Sequence, residues 1–114
     1  MPTTSQKQAL SNAVSCLYSA ELLLTQASRD TDDPAKLSKI DVEYRHIDSL
    51  MSQLVNLQAI DDDAVFASAT GALKLQAAAL QKEEDYIKTI IDDVKVAAQI
   101  VGYFAQALQI IAAL

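Results

Sequence analysis

One glutamate and the single histidine have the spacing closest to a chemical motif in this sequence. Glu43 and His46 are separated by two residues, and a helix places residues three apart on the same side. In helical bundles a Glu-x-x-His pair supplies two ligands to a carboxylate-bridged di-iron centre, and the complete centre requires two such pairs. Because the chain has 1 histidine, it does not complete that centre. The sequence therefore predicts that Glu43 and His46 form a solvent-exposed pair and that the protein holds no metal and no cofactor. Glu43 and His46 are the candidate ligands if a metal is bound.

Acidic residues from other segments are the remaining source of ligands near His46. Glu21 lies close to the apolar seam of the first predicted helix, and Glu83 and Glu84 interrupt the seam of the last one. Packing of these helices would gather a small acidic cluster around His46. A dimer would double that cluster.

Nucleophilic catalysis has no support in the sequence. Cys16 and His46 fall in different predicted helices, and no serine lies in the strand-turn-helix motif of a hydrolase nucleophile. With 2 glycines in the chain, a phosphate-binding loop is absent as well. We expect a protein that is not an enzyme and has no catalytic residues, in which Cys16 is a small buried side chain.

The acidic net charge and the single cysteine exclude further classes of protein. The chain has 15 acidic and 9 basic residues, a net charge of −6, whereas a nucleic-acid surface requires a basic stripe. Nucleic acid is therefore not an expected partner. Residues 1–8 are polar and do not resemble a secretory signal, and a single cysteine forms no intramolecular disulfide. A cytoplasmic location is expected.

Composition predicts an all-α fold, a single helical domain over residues 1–114. The chain contains 2 glycines and 2 prolines, and its interior is rich in alanine, leucine and glutamine. Helices are predicted at about 5–29 and 34–59, the second beginning where Asp33 caps and Pro34 follows. With so short a connection, these two helices form an antiparallel hairpin.

Each arm of the hairpin has an apolar seam in steps of three and four. The first seam is Leu10, Ala13, Leu17, Ala20, Leu24 and Ala27, and the second is Leu37, Ile40, Tyr44, Ile47, Met51 and Leu54. Lys39 with Glu43, and Asp41 with Arg45, are predicted as exposed ion pairs.

Residues 62–113 are predicted to form one long helix. Every seventh residue from Phe66 to Leu108 is large and apolar, a period typical of a helix that packs along one seam. The alternative is a turn near Gln81 to Asp85, which would make a four-helix up-down bundle. A continuous helix would be about twice as long as either hairpin arm, so a second chain would have to cover half of it. This predicts a homo-oligomer.

The last nineteen residues carry no charge, and they determine the predicted function. One narrow strip of this helix is polar: Asp85, Lys88, Asp92, Lys95, Gln99, Gly102, Gln106 and Gln109. We expect a non-enzymatic interaction protein that self-associates or binds a protein partner through this helix. Its predicted partner-binding residues are Val96, Ile100, Tyr103, Phe104, Ala107, Ile110 and Leu114. The alternative is a membrane-active protein whose C-terminal helix inserts into lipid.

Overall fold

The computed structural model describes residues 2–114, and within them the chain forms five helices and no strand. The helices are α1 (Thr4–Arg29), α2 (Pro34–Gln58), α3 (Asp63–Leu80), α4 (Glu83–Ile90) and α5 (Val94–Ala112). The predicted all-α helical bundle is confirmed.

Long-range contacts at the two ends of the molecule establish an up-down-up-down topology. At one end the Lys7 ammonium of α1 donates to the backbone oxygens of Leu57 (3.4 Å) and Ile60 (2.9 Å), where α2 finishes. At the other end Lys36, near the start of α2, forms an ion pair with Asp92, between α4 and α5. The helices therefore make four antiparallel arms, of which α3 and α4 together are the third, in a body of 48 × 20 × 18 Å.

Short polar side chains cap the first three helices, and the Asp33 cap of α2 is the one that the sequence predicts. Thr3 and Gln6 form a reciprocal capping box at α1, and Asp33 accepts a hydrogen bond from the Ala35 amide at α2. Asp62 likewise caps α3 through the Val65 amide. Each cap satisfies a backbone donor that a helix N-terminus otherwise leaves unpaired.

The predicted continuous helix over residues 62–113 is wrong, because the chain is interrupted twice. Gln81 and Lys82 keep a helical backbone conformation, so α3 and α4 are joined by a bend. Ile91 is extended, and Asp93 caps α5 by accepting hydrogen bonds from the Lys95 and Val96 amides. The first interruption falls at the alternative position near 81–85, and the four-arm up-down bundle of that alternative is found. The chain reverses, however, at residues 91–93.

The second interruption changes which residues of the last arm are buried. Phe66, Leu73 and Ile87 follow the predicted seven-residue seam into the core, but Val94 is 80% exposed. The buried residues of α5 are Ala97, Ile100, Phe104, Ala107, Leu108 and Ile111. Because α5 folds back onto α1 of the same chain, no second chain is needed to cover the C-terminal residues. The prediction of an oligomer from the length of one continuous helix therefore no longer applies.

The hairpin seams are largely as predicted. All six seam residues predicted for α1 are buried. In α2 the buried apolar residues are Ile40, Ile47, Leu50, Leu54 and Leu57, whereas Tyr44 and Met51 are only partly buried against the core. Of the two predicted ion pairs, Asp41 and Arg45 form an exposed bridge of 2.8 Å.

Replacing the α5 cap, Asp93→Ala, is expected to destabilise the protein by about 1 kcal/mol. The reason is that the carboxylate accepts from two amides at the start of the helix. A loss of this size lowers the melting temperature by roughly 4 °C in a domain of about this length, measurable by circular dichroism. Asp92→Ala is the control, since its ion pair with Lys36 is exposed and such pairs contribute little. An equal loss in both variants would contradict the assigned cap.

Candidate functional site

Glu43 is one of the buried residues on the inner face of α2. This residue is 1% exposed and lies between Ile40 and Ile47 on the inner face of the helix. The prediction of a solvent-exposed Glu43–His46 pair, and of an exposed Lys39–Glu43 ion pair, is therefore wrong for Glu43. The apolar seam had suggested Tyr44 for this position, and the helix is rotated so that Glu43 faces inward instead.

The third arm brings a second carboxylate to the same place. Glu83 begins α4, directly after the bend at residues 81–82. Its Oε1 lies 3.2 Å and its Oε2 3.4 Å from His46 Nδ1, and Glu43 Oε1 lies 4.0 Å from the same nitrogen. One ligand atom from each of Glu43, His46 and Glu83 lies within 4.8 Å of the other two. We call these three residues the Glu–His–Glu cluster.

The cluster is only partly shielded from solvent, and its members differ in burial. The side chain of His46 is 45% exposed, that of Glu83 17% and that of Glu43 2%. Burial, reinforced by the nearby Glu83 charge, raises the pKa of Glu43 to about 8. Among the residues that the structure describes, Oε2 of Glu43 has no hydrogen-bond partner. A buried carboxylate oxygen without a partner is costly.

A second buried acid, Glu21, lies apart from the Glu–His–Glu cluster. It is 5% exposed on α1, and burial, followed by interaction with Asp48 of α2, raises its pKa to about 7. Interaction with the Tyr44 side chain acts in the opposite direction and lowers the pKa of Glu21. Of the acidic residues that the sequence suggested near His46, Glu83 joins the cluster, while Glu21 and Glu84 do not. Glu84 instead lines a cavity of about 210 Å³ between the third arm and α5.

The sulfur of Cys16 shows no activation. It is half-buried on α1, and burial raises the pKa of its thiol above the ordinary value, which disfavours the nucleophilic thiolate.

The predicted partner-binding residues of α5 divide into three groups. Ile100, Phe104 and Ala107 are buried in the core of the chain, where they are not accessible to a partner. Val96, Ile110 and Leu114 are partly buried against that core. Tyr103 is 39% exposed, beside Leu22 of α1. Every residue of the predicted polar strip is exposed, as expected.

An uncharged exposed surface that the apolar seams do not indicate lies on α3. Val65 is 53% and Leu75 76% exposed. They lie on one side of the helix, in steps of three and four residues, in the series Val65, Ser68, Ala72, Leu75 and Ala79, all exposed. We call this series the outer face of α3. The signal was available, since α3 carries charges only at Asp63 and Lys74.

Within residues 2–114, one helix, α5, is long and apolar enough to cross a membrane by length and composition alone. Of its best 18-residue window, 39% is buried within the bundle.

Comparison of the chain with protein-family models, with curated proteins and with solved structures found no match.

Proposed function

We propose that the protein is a non-enzymatic interaction protein that associates with a second copy of itself through the outer face of α3. The observation that supports this proposal is the exposure of Val65 and Leu75 on an uncharged helix side. Contiguous exposed apolar surface of this kind is characteristic of protein contact sites. The proposal keeps the self-association expected from the sequence and assigns it to α3 in place of α5.

Incomplete packing around α3 supports an external partner. Open surface clefts of about 210 Å³ and 260 Å³ lie beside α3, on its α5 side and its α2 side. At about 1.5 Å per residue, α5 is roughly 28 Å long and the third arm roughly 42 Å. The first turns of α3 therefore extend beyond the end of α5, and a second copy would supply the missing neighbour.

The residues at the middle of the outer face allow two helices to approach closely. Gly71 and Ala72 are exposed at the centre of α3, and a Cβ added to Gly71 would meet nothing within 4 Å. Two α3 helices crossing there in antiparallel orientation would bring Val65 of one copy near Ala79 of the other. A two-fold axis makes such a contact self-complementary.

The charges at the ends of α3 favour the antiparallel arrangement. Asp61 precedes the outer face, Lys82 follows it, and both are exposed. In an antiparallel pair Asp61 of each copy faces Lys82 of the other, which selects orientation more than it adds affinity. The uncharged centre of the face lets two chains of net charge −6 meet without local repulsion.

Leu75→Glu is expected to convert a dimer of the protein to a monomer, because it places a charge at the most exposed large apolar residue of the outer face. The measurement is molar mass by light scattering after gel filtration, over a range of protein concentrations. Val94→Glu is the matched control, since Val94 is 80% exposed at the start of α5, away from α3.

The result that contradicts the proposal is a wild-type mass equal to one chain at the highest concentration tested. A dimer that persists in the Leu75→Glu variant but is lost in the Tyr103→Glu variant would show that the dimer interface lies on α5 and not on α3. Circular dichroism of each variant verifies that the helices are retained, so a change in mass is not a consequence of unfolding.

Insertion of α5 into lipid is the second candidate function, favoured by the length and composition of that helix. Insertion would require α5 to leave α1 and expose its buried residues, among them Phe104 and Ile111. Co-sedimentation of the full chain with lipid vesicles tests this candidate. Protein that stays in the supernatant in both wild-type and Leu75→Glu samples rules against it.

A further inference from the structure

We propose that the Glu–His–Glu cluster is a binding site for one divalent first-row transition-metal ion, with Glu43, His46 and Glu83 as its three protein ligands. The proposal is independent of self-association, since none of these residues lies on the outer face of α3. Two arms of the bundle contribute, α2 with Glu43 and His46 and the third arm with Glu83.

The distances between the donor atoms suit a single ion. Ligands about 2.0–2.2 Å from a tetrahedral zinc ion lie about 3.3–3.6 Å from one another. His46 Nδ1 lies 3.2 Å from Glu83 Oε1 and 4.0 Å from Glu43 Oε1. Small side-chain rotations therefore place all three donors around one centre, without movement of either helix.

The buried carboxylate of Glu43 is the independent observation that points to a ligand. Its side chain is 2% exposed, it lies in the cluster, and its Oε2 has no partner among residues 2–114. A cation bound between Glu43 and Glu83 would displace any proton held there, satisfy that oxygen and balance the charge of the two carboxylates. The ion would be held by two negative charges, which matches the charge of a divalent metal.

The donor set selects the class of metal. An imidazole nitrogen suits zinc, iron, nickel and copper, whereas magnesium and calcium prefer oxygen ligands alone. Three protein ligands leave a further coordination position for water, and the partial exposure of His46 gives solvent access to it. The complete site fits within one chain, unlike a di-iron centre with two Glu-x-x-His pairs.

Zinc is the probe for the first experiment, with magnesium as the comparison. Isothermal titration of untagged, chelator-treated protein is expected to show one zinc ion per chain and no magnesium binding. Because zinc binds the folded state, it is also expected to raise the melting temperature by several degrees. His46→Gln and Glu83→Gln should each weaken zinc binding by about 10-fold or more. Glu84→Gln is the matched control, a neighbouring acid outside the cluster, and should bind as the wild type does.

The single histidine makes the site directly observable by nuclear magnetic resonance. The imidazole nitrogens of His46 give one set of signals, and coordination by Nδ1 is expected to shift that nitrogen on addition of one equivalent of zinc. Zinc bound without a change in the His46 signals would overturn the proposal, as would equal affinity in the Glu84→Gln and Glu83→Gln variants. The proposal would also be overturned if the protein bound no stoichiometric zinc.

Discussion

Replacing Glu21 with glutamine is expected to raise the melting temperature of the protein at pH 8 and to leave it nearly unchanged at pH 5. The pKa of Glu21 is raised from 4.5 to about 7 in the folded state. The folded protein therefore binds more protons than the unfolded chain between these values, and its stability falls as pH rises through this window. Above pH 7 Glu21 is ionised inside the bundle, and its ionisation lowers the free energy of unfolding by roughly 3 kcal/mol at most.

Glutamine has nearly the same shape as glutamate and no charge, so the substitution removes this cost. The gain at pH 8 corresponds to up to about 10 °C in melting temperature. The groups that face Glu21 are Asp48 and Tyr44; repulsion from Asp48 contributes to the cost, and interaction with Tyr44 reduces it. Asp32→Asn is the control, since Asp32 is an exposed acid in the α1–α2 connection. A Glu21→Gln effect of the same size at pH 5 and pH 8 would show that ionisation of Glu21 is not its cause.

Phe104→Ala is expected to destabilise the protein by about 3–5 kcal/mol, the range for removing a buried aromatic side chain. Phe104 is 0% exposed and lies on the face of α5 that packs against the rest of the bundle. Urea unfolding measures the loss. Tyr103→Ala is the matched control, because the adjacent Tyr103 is 39% exposed on the same helix, and it should cost far less.

The comparison also tests the position of α5. If Phe104→Ala and Tyr103→Ala destabilise the protein equally, α5 does not bury the face that the structure assigns to it. A small effect in both variants would indicate that α5 is not packed in the core, as lipid insertion requires.

The sequence was sufficient to predict the hairpin because its signals are local. The seam of α1 and the cap at Asp33 depend on spacing within one helix, and the structure confirms them. The break before α5 had a local signal too. Paired acids precede α2 at 32–33 and α3 at 61–62, and the same pair recurs at 92–93. At 92–93 the seven-residue period of apolar residues predicts a continuous helix, which conflicts with this cap signal.

The candidate site could be predicted only in part. The Glu-x-x-His spacing identified Glu43 and His46, but a pattern of apolar residues does not fix the rotation of a helix to within one residue. That rotation decides whether Glu43 or Tyr44 faces inward. The position of Glu83 depends on the bend at residues 81–82. The alternative turn near 81–85 indicated an interruption there, but the backbone remains helical, and the sequence did not show that Glu83 would face His46.

The small number of buried residues in α3 has a consequence for motion within the folded state. Local opening occurs where few buried contacts must be broken, and α3 buries four residues, Phe66, Thr70, Leu73 and Ala77, between its two flanking cavities. We expect α3 to open locally at a lower free energy than α5, which buries six residues over a similar length. Fluctuations of α3 can therefore proceed while α2 and α4 hold the Glu–His–Glu cluster together.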